Sequence, residues 1–159
     1  MIFATVGTQL PFERLIRGLD SWAEQNPGVS IFAQTGEAGY QPSNIDFSVS
    51  LSPVEFESRF EEADVVVAHA GMGTILQCLD IYKPLIIMPR IASQGEHRND
   101  HQLATAEKFK RFDNIQVVEN DEELWKALDN PPSPDSDLSS NSDNLEQLIN
   151  EIRTFVQQG

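Results

Sequence analysis

The sequence predicts a single α/β domain of Rossmann-like architecture, a parallel sheet with helices on both faces. Three observations lead there. Short apolar runs alternate with segments of helical periodicity along the chain, the signature of βαβ units with right-handed crossovers. The run Leu85 to Met88 is continuously apolar and bounded by Pro84 and Pro89, as expected of a central strand buried on both faces. A chain of 159 residues is long enough to bury one substantial core and short enough to favour one domain.

The elements follow in order. Met1 to Val6 reads as a strand ending at Gly7-Thr8-Gln9, after which Phe12, Leu15, Ile16, Leu19 and Trp22 recur at helical spacing. Val29 to Gln34 is a second strand closed by Thr35-Gly36, and Ile45 to Leu51 alternates apolar and polar residues like a third. Ser52 caps a short helix with Pro53 at its first position and Glu55 completing a capping box, its apolar side being Val54, Phe56 and Phe60. The apolar run from Ala63 to Ala68 then runs into His69-Ala70-Gly71-Met72-Gly73-Thr74, and a helical pattern follows from Ile75 to Tyr82. After the Leu85 strand come a polar loop from Arg90 to Asp100, a helix to about Arg111, a strand from Ile115 to Val118 and a helix starting near Asp121.

Residues 1–129 therefore form the domain. Residues 130–144, with Pro-Pro-Ser-Pro and a run of Ser, Asp and Asn, are too polar to bury themselves and are expected to be a surface loop. In residues 145–159, Leu145, Leu148, Ile149, Ile152, Phe155 and Val156 share one helical stripe. That helix must dock, either on the chain's own sheet or on a partner.

Charge limits the ligands. Eleven Lys and Arg against 25 Asp and Glu give a net charge of -14, which repels nucleic acid and anionic membrane surfaces. Any anionic ligand must be small and locally held. The lone cysteine, Cys78, falls within a helical pattern as a small core residue, and no signal-peptide layout opens the chain. With no apolar run near the roughly 20 residues of a membrane span, the expectation is a cytoplasmic protein held at a membrane, if at all, by something else.

Two clusters carry chemistry. At the end of the fourth strand, the first N–H groups of a helix and the positive end of its dipole point into one small space, which suits a phosphate. Gly71 and Gly73 let the backbone approach it, the Thr74 hydroxyl can donate, and His69 adds a donor or partial charge. The same glycines also fit a purely architectural tight turn. In an open parallel sheet this turn gathers with Gly7-Thr8-Gln9 and Gln34-Thr35-Gly36 at the carboxyl ends of the strands. The second cluster is Gln94 to Gln102, where Asp100, His101 and Gln102 offer donors and acceptors for sugar hydroxyls. His97 and His101, with Glu96 and Asp100, are alternatively a metal pair, and the whole loop is alternatively a solvated helix start.

Together these residues resemble the nucleotide-sugar-binding half of GT-B glycosyltransferases, specifically the family 28 C-terminal domain. The composite is His-x-Gly-x-Gly-Thr, then Lys-Pro-Leu-Ile-Ile-x-Pro, then a loop ending Asp-His-Gln. It is most similar to split-subunit versions: PssE-like subunits of exopolysaccharide glucuronosyltransferases and the catalytic subunit of the dolichol-pathway UDP-GlcNAc transferase. The resemblance implies a donor diphosphate on His69, Gly71, Met72, Gly73 and Thr74, and ribose near Gln77, where many relatives carry a glutamate. It implies sugar hydroxyls at Asp100, His101 and Gln102, the reaction centre facing Gly7 and Thr8 with Gln34 nearby, and the base packed near the Pro53 to Phe56 segment.

It further implies an inverting transfer from a UDP-sugar, with no obligatory cofactor or metal, to a lipid-linked acceptor in polysaccharide or glycolipid synthesis. The acceptor would be presented at the cytoplasmic membrane face by a membrane-anchored partner subunit. His69 is the catalytic candidate on this chain, and the general base is expected on the partner. Arg90 and Arg98 are candidates for pairing with a uronic acid carboxylate. Two readings from other classes are a nucleotide-binding regulatory module without chemistry and a metal-dependent hydrolase at His97 and His101.

Overall fold

The computed structural model describes residues 1–8, 10–37, 40–133 and 150. Six parallel strands form one sheet in the order β3-β2-β1-β4-β5-β6. The strands are β1 (Ile2–Thr5), β2 (Ile31–Gln34), β3 (Asp46–Ser48), β4 (Val65–Ala68), β5 (Leu85–Ile87) and β6 (Ile115–Val117). Between them run α1 (Glu13–Gln25), α2 (Pro53–Glu62), α3 (Met72–Ile81) and α4 (His101–Phe109), with α5 (Asp121–Asp129) after β6. The α/β architecture predicted from the sequence is the one observed.

Position in the sheet follows side-chain character. β1, β4 and β5 are buried throughout and lie in the middle, whereas the less apolar β3 and β6 take the edges. Alternate residues of each strand feed two cores. Ile2, Ala4, Val65, Val67 and Ile86 pack with Leu15, Ile16 and Leu19 of α1 and Leu124 of α5 on one face. Phe3, Val66, Leu85 and Ile87 pack with Phe60 of α2, Ile75 and Leu79 of α3 and Phe109 of α4 on the other. Cys78 belongs to this second core, where burial pushes its thiol up to about 12.

Local rules set most boundaries. Ser52 accepts from the Glu55 N–H, and the Glu55 carboxylate accepts from the Ser52 N–H at 2.9 Å, closing the expected capping box. Lys83 caps the other end of α2: Nζ donates to the carbonyls of Phe60 and Ala63 at 2.7 Å and of Glu61 at 3.2 Å. One expectation fails here. Val54 is 80% exposed, because Phe56 turns α2 inward, its ring meeting Phe3 edge-on at 5.2 Å.

α3 begins at Met72, three residues earlier than its apolar periodicity suggests, because Gly71 has extended dihedrals and serves as the cap. Gly73 and Thr74 are thereby residues of the first helical turn. A short 3₁₀ turn, Ala92–Gln94, interrupts the loop after β5, and α4 ends at Phe109.

No helix among the described residues is long and apolar enough to cross a membrane. The expectations for residue 9, for 134–144 and for the amphipathic helix in 145–159, Asn150 aside, fall outside the described residues.

β1 is the switch point of the sheet. It pairs with β2 on one side and β4 on the other, so the crossovers diverge from it and leave a crevice beyond its carboxyl end.

Candidate functional site

Beyond that crevice lie two cavities of about 460 and 370 Å³ that share Gly7, Thr8, Leu10 and Thr74 in their walls. They form one trough. Its larger end is walled by Gln34, Val49, Leu51 and Phe56, its smaller end by His69, Gly71, Gly73, Arg90 and Gln102.

The floor is the turn after β1. Gly7 has φ of +80°, a conformation that favours glycine, and its position leaves no room for a Cβ: one there would lie 2.8 Å from His69 Nε2. Gln34 holds this turn. Its Oε1 accepts from the Thr5 hydroxyl at 2.7 Å, and its Nε2 donates to the carbonyls of Gly7 at 3.1 Å and Val49 at 3.0 Å. The Gln34 side chain is thus committed to the protein on both sides and supports the turn.

Arg90 supports the turn from the other side. It is 2% exposed, and its guanidinium donates to the carbonyls of Val6, Leu10, Pro11 and Glu96. A guanidinium so occupied does not pair with a uronic acid carboxylate, which corrects the expectation for Arg90. Arg98 stays exposed beside an adjoining cavity lined also by Asn99, which shares Leu10 and His97 with the smaller end of the trough. The sequence carried a signal for Arg90's role: a cation abutting a fully buried strand must find partners. Arg14, which sequence reasoning did not single out, extends this framework through two bonds to Glu96 of 2.9 and 3.0 Å. Arg14 also donates to the Pro89 and Glu119 carbonyls.

At the smaller end the N-terminus of α3 meets the trough. The helical ladder of α3 opens with the Ile75 N–H on the Gly71 carbonyl at 3.2 Å, so the N–H groups of Met72, Gly73 and Thr74 precede it at the positive end of the helix. A Cβ on Gly73 would meet nothing within 4 Å, so that side of the helix end is open. His69 flanks it, largely buried, and burial followed by the charge of Arg90 pushes its pKa down to about 4. The ring is neutral at physiological pH.

Of the predicted site residues, the trough gathers Gly7, Thr8, Gln34, His69, Gly71, Gly73, Thr74 and Gln102. Met72 instead packs its side chain against the second core. Gln77 faces α2, its amide 3.5 Å from Glu57 Oε2. Asp100 and His101 stand exposed at the start of α4 outside the trough's lining, because Asp100 accepts from the Ala92 N–H at 2.9 Å across its own loop. Gln102 is buried, and its amide is bonded to the backbone and to His69.

The metal reading of the 96–101 loop fits poorly with these bonds. Glu96 is committed to Arg14 and to the Ile91 N–H, and among the described residues no group of three or more His, Cys, Asp or Glu could hold a metal ion.

A model of the glycosyltransferase family 28 C-terminal domain matches residues 1–158. The UDP-N-acetylglucosamine transferase subunit ALG13 of Candida albicans is 33% identical over 111 residues, 70% of this chain and 36% of that protein. The UDP-N-acetylglucosamine--N-acetylmuramyl-(pentapeptide) pyrophosphoryl-undecaprenol N-acetylglucosamine transferase of Cytophaga hutchinsonii is 26% identical over 136 residues, 83% of this chain and 35% of that protein. The chain thus spans about a third of the length of these curated relatives.

Among solved structures, the glycosyltransferase of kitacinnamycin superposes with a TM-score of 0.61 at 21% identity, over 96% of this chain and 39% of its own. The solution structure of ALG13 superposes with a TM-score of 0.59 at 19% identity, over 91% of this chain and 94% of its own. At these identities the structural matches establish the fold: that of the C-terminal half of a GT-B enzyme.

Proposed function

The chain belongs to glycosyltransferase family 28, and from that membership we propose that it binds the donor in an inverting transfer from a UDP-sugar to a lipid-linked acceptor. The observation that carries the reading is the convergence of the α3 N-terminus and His69 on an open cradle beyond the switch point of the sheet. Both relatives are named for UDP-N-acetylglucosamine, one for a pyrophosphoryl-undecaprenol acceptor, and the other as a subunit. Those names support a nucleotide donor, a lipid-linked acceptor and a division of labour.

The diphosphate would lie on the N–H groups of Met72, Gly73 and Thr74, with the Thr74 hydroxyl and His69 as further donors. Charge that builds on the leaving UDP is then met by dipoles already in place, with no metal required of the protein. The nucleoside end would occupy the larger half of the trough, against Val49, Leu51 and Phe56. The acceptor hydroxyl attacks the anomeric carbon as its bond to the UDP oxygen breaks, and the proton it loses goes to a base on a partner subunit. That partner is membrane-anchored and carries the acceptor, and this chain sits with it at the cytoplasmic face.

Calorimetry with UDP, followed by transfer assays with the co-purified partner, tests the proposal. Expected are saturable UDP binding and its loss with transfer in His69→Ala. A protein that binds no UDP, or one in which His69→Ala changes neither binding nor transfer, overturns it. UDP binding without transfer in any partner combination would make the chain a regulatory module.

A further inference from the structure

The three bonds of Gln102 fix the chemistry of His69. Gln102 Oε1 accepts from the N–H of Ala70 at 3.2 Å and from the N–H of Arg90 at 3.0 Å. Two backbone donors on one amide atom identify that atom as the oxygen. The opposite corner of the amide is therefore the nitrogen, and it stands 3.0 Å from His69 Nδ1. An amide nitrogen only donates, so Nδ1 must accept, and the single proton of the neutral ring belongs on Nε2.

Nε2 in turn borders the trough. A Cβ on Gly7 would lie 2.8 Å from it and a Cβ on Gly71 would lie 2.7 Å from it. The two glycines keep the space around this nitrogen free of their own side chains, where all three residues line the smaller end of the trough. The charged and titratable groups that act on the ring are Arg90, at the end of β5, and His97, in the following loop, and both oppose its protonation.

We infer that Gln102 is a positioning residue that holds His69 as the Nε2-protonated neutral imidazole, so that His69 donates to the ligand instead of taking a proton from it. The catalytic role anticipated for His69 is thereby narrowed to hydrogen-bond donation, and a general base elsewhere becomes a requirement. The inference concerns the ring itself, and only its consequence for the ligand rests on the donor-binding reading.

The test is ¹⁵N NMR of the histidine rings in the whole chain, with His97→Asn and His101→Asn assigning the signals. Expected for His69 is a protonated Nε2 and an unprotonated Nδ1, unchanged from about pH 8 to about pH 5.5. A protonated Nδ1, or titration near the ordinary histidine value, overturns the inference. In Gln102→Glu one carboxylate oxygen still accepts from both backbone N–H groups, while the other now accepts from the ring. The expected result is a proton on Nδ1, a ring that titrates higher, and at least tenfold weaker UDP binding. An unchanged tautomer in Gln102→Glu also overturns the inference. A wild-type protein with the expected tautomer that fails to bind UDP leaves the inference standing and removes the donor-binding reading alone.

Discussion

Arg90 donates through Nη2 to the carbonyl of Val6, joining the end of β5 to the end of β1 across 84 residues of sequence. Through Leu10, Pro11 and Glu96 the same guanidinium shapes the turn that floors the trough. Arg90→Met strands several buried carbonyls at once and is expected to cost on the order of 3 kcal/mol. Arg90→Lys keeps the charge but not the planar fork, so it is expected to recover less than half of that loss. Urea denaturation of the three proteins measures it; equal stability of Arg90→Lys and wild type would show that charge alone suffices.

Gly71 and Gly73 are expected to separate under substitution by alanine. At Gly71 a Cβ would lie 2.6 Å from His69 Cε1, and that ring is held by Gln102, so the substitution should cost about 1–3 kcal/mol and weaken UDP binding. At Gly73 there is open space within a helical turn, so alanine should leave stability unchanged or raise it by up to ~1 kcal/mol. The new methyl group would instead meet the ligand, and UDP binding is expected to fall tenfold or more. Thermal melts and calorimetry on the pair decide this, and a Gly73→Ala protein that binds UDP normally would move the diphosphate away from α3.

What was legible in the sequence is what local chemistry dictates. Ser52, Pro53 and Glu55 announce the start of α2, and Pro84 and Pro89 bracket β5, because caps and breakers act within a few residues. The strand-to-helix turn at His69 to Thr74 was legible for the same reason. Gln102, Gln34 and Arg90 were legible only as polar residues near the site. Whether an amide or a guanidinium faces ligand or backbone depends on partners up to 84 residues away, among them the N–H of Arg90 for Gln102 and the carbonyl of Val6 for Arg90. Val54 misled because helical spacing places a residue on a stripe without saying how the helix rolls on the sheet; the Phe3–Phe56 contact sets that roll.

His69 should leave a mark on the acid limb of stability. Its folded pKa of about 4 lies below the ordinary 6.5, so below pH 6.5 the unfolded chain takes up a proton that the folded chain refuses. The stability is present in full above about pH 6.5 and is lost as pH falls toward 4, by roughly 3 kcal/mol in all. Asp20, held below the usual carboxylate range by Tyr40 and the N–H groups of Ser43 and Asn44 against the opposing effect of burial, loses its contribution only in more acidic solution. Chemical denaturation of wild type and His69→Asn between pH 7 and 4 isolates the histidine: the gap between the two should narrow or reverse across that range, and parallel curves would refute it.

Gln34 distinguishes support of the site from contact with the ligand. Its Nε2 donates to two carbonyls, Gly7 on the turn and Val49 beyond β3, and so ties the floor of the trough to its far wall. Gln34→Glu replaces that donor with a carboxylate oxygen facing two carbonyl oxygens, and Gln34→Leu removes the donor without adding repulsion. Since each buried carbonyl left without a partner costs about 1–3 kcal/mol, Gln34→Leu should destabilise by about 2–4 kcal/mol and Gln34→Glu by more. Loss of UDP affinity should track the loss of stability in both variants, because the turn at Gly7 carries the effect. If instead Gln34→Leu were as stable as wild type but failed to bind UDP, the amide would be touching the ligand directly, and the bonds to Gly7 and Val49 would have to open when the nucleotide enters.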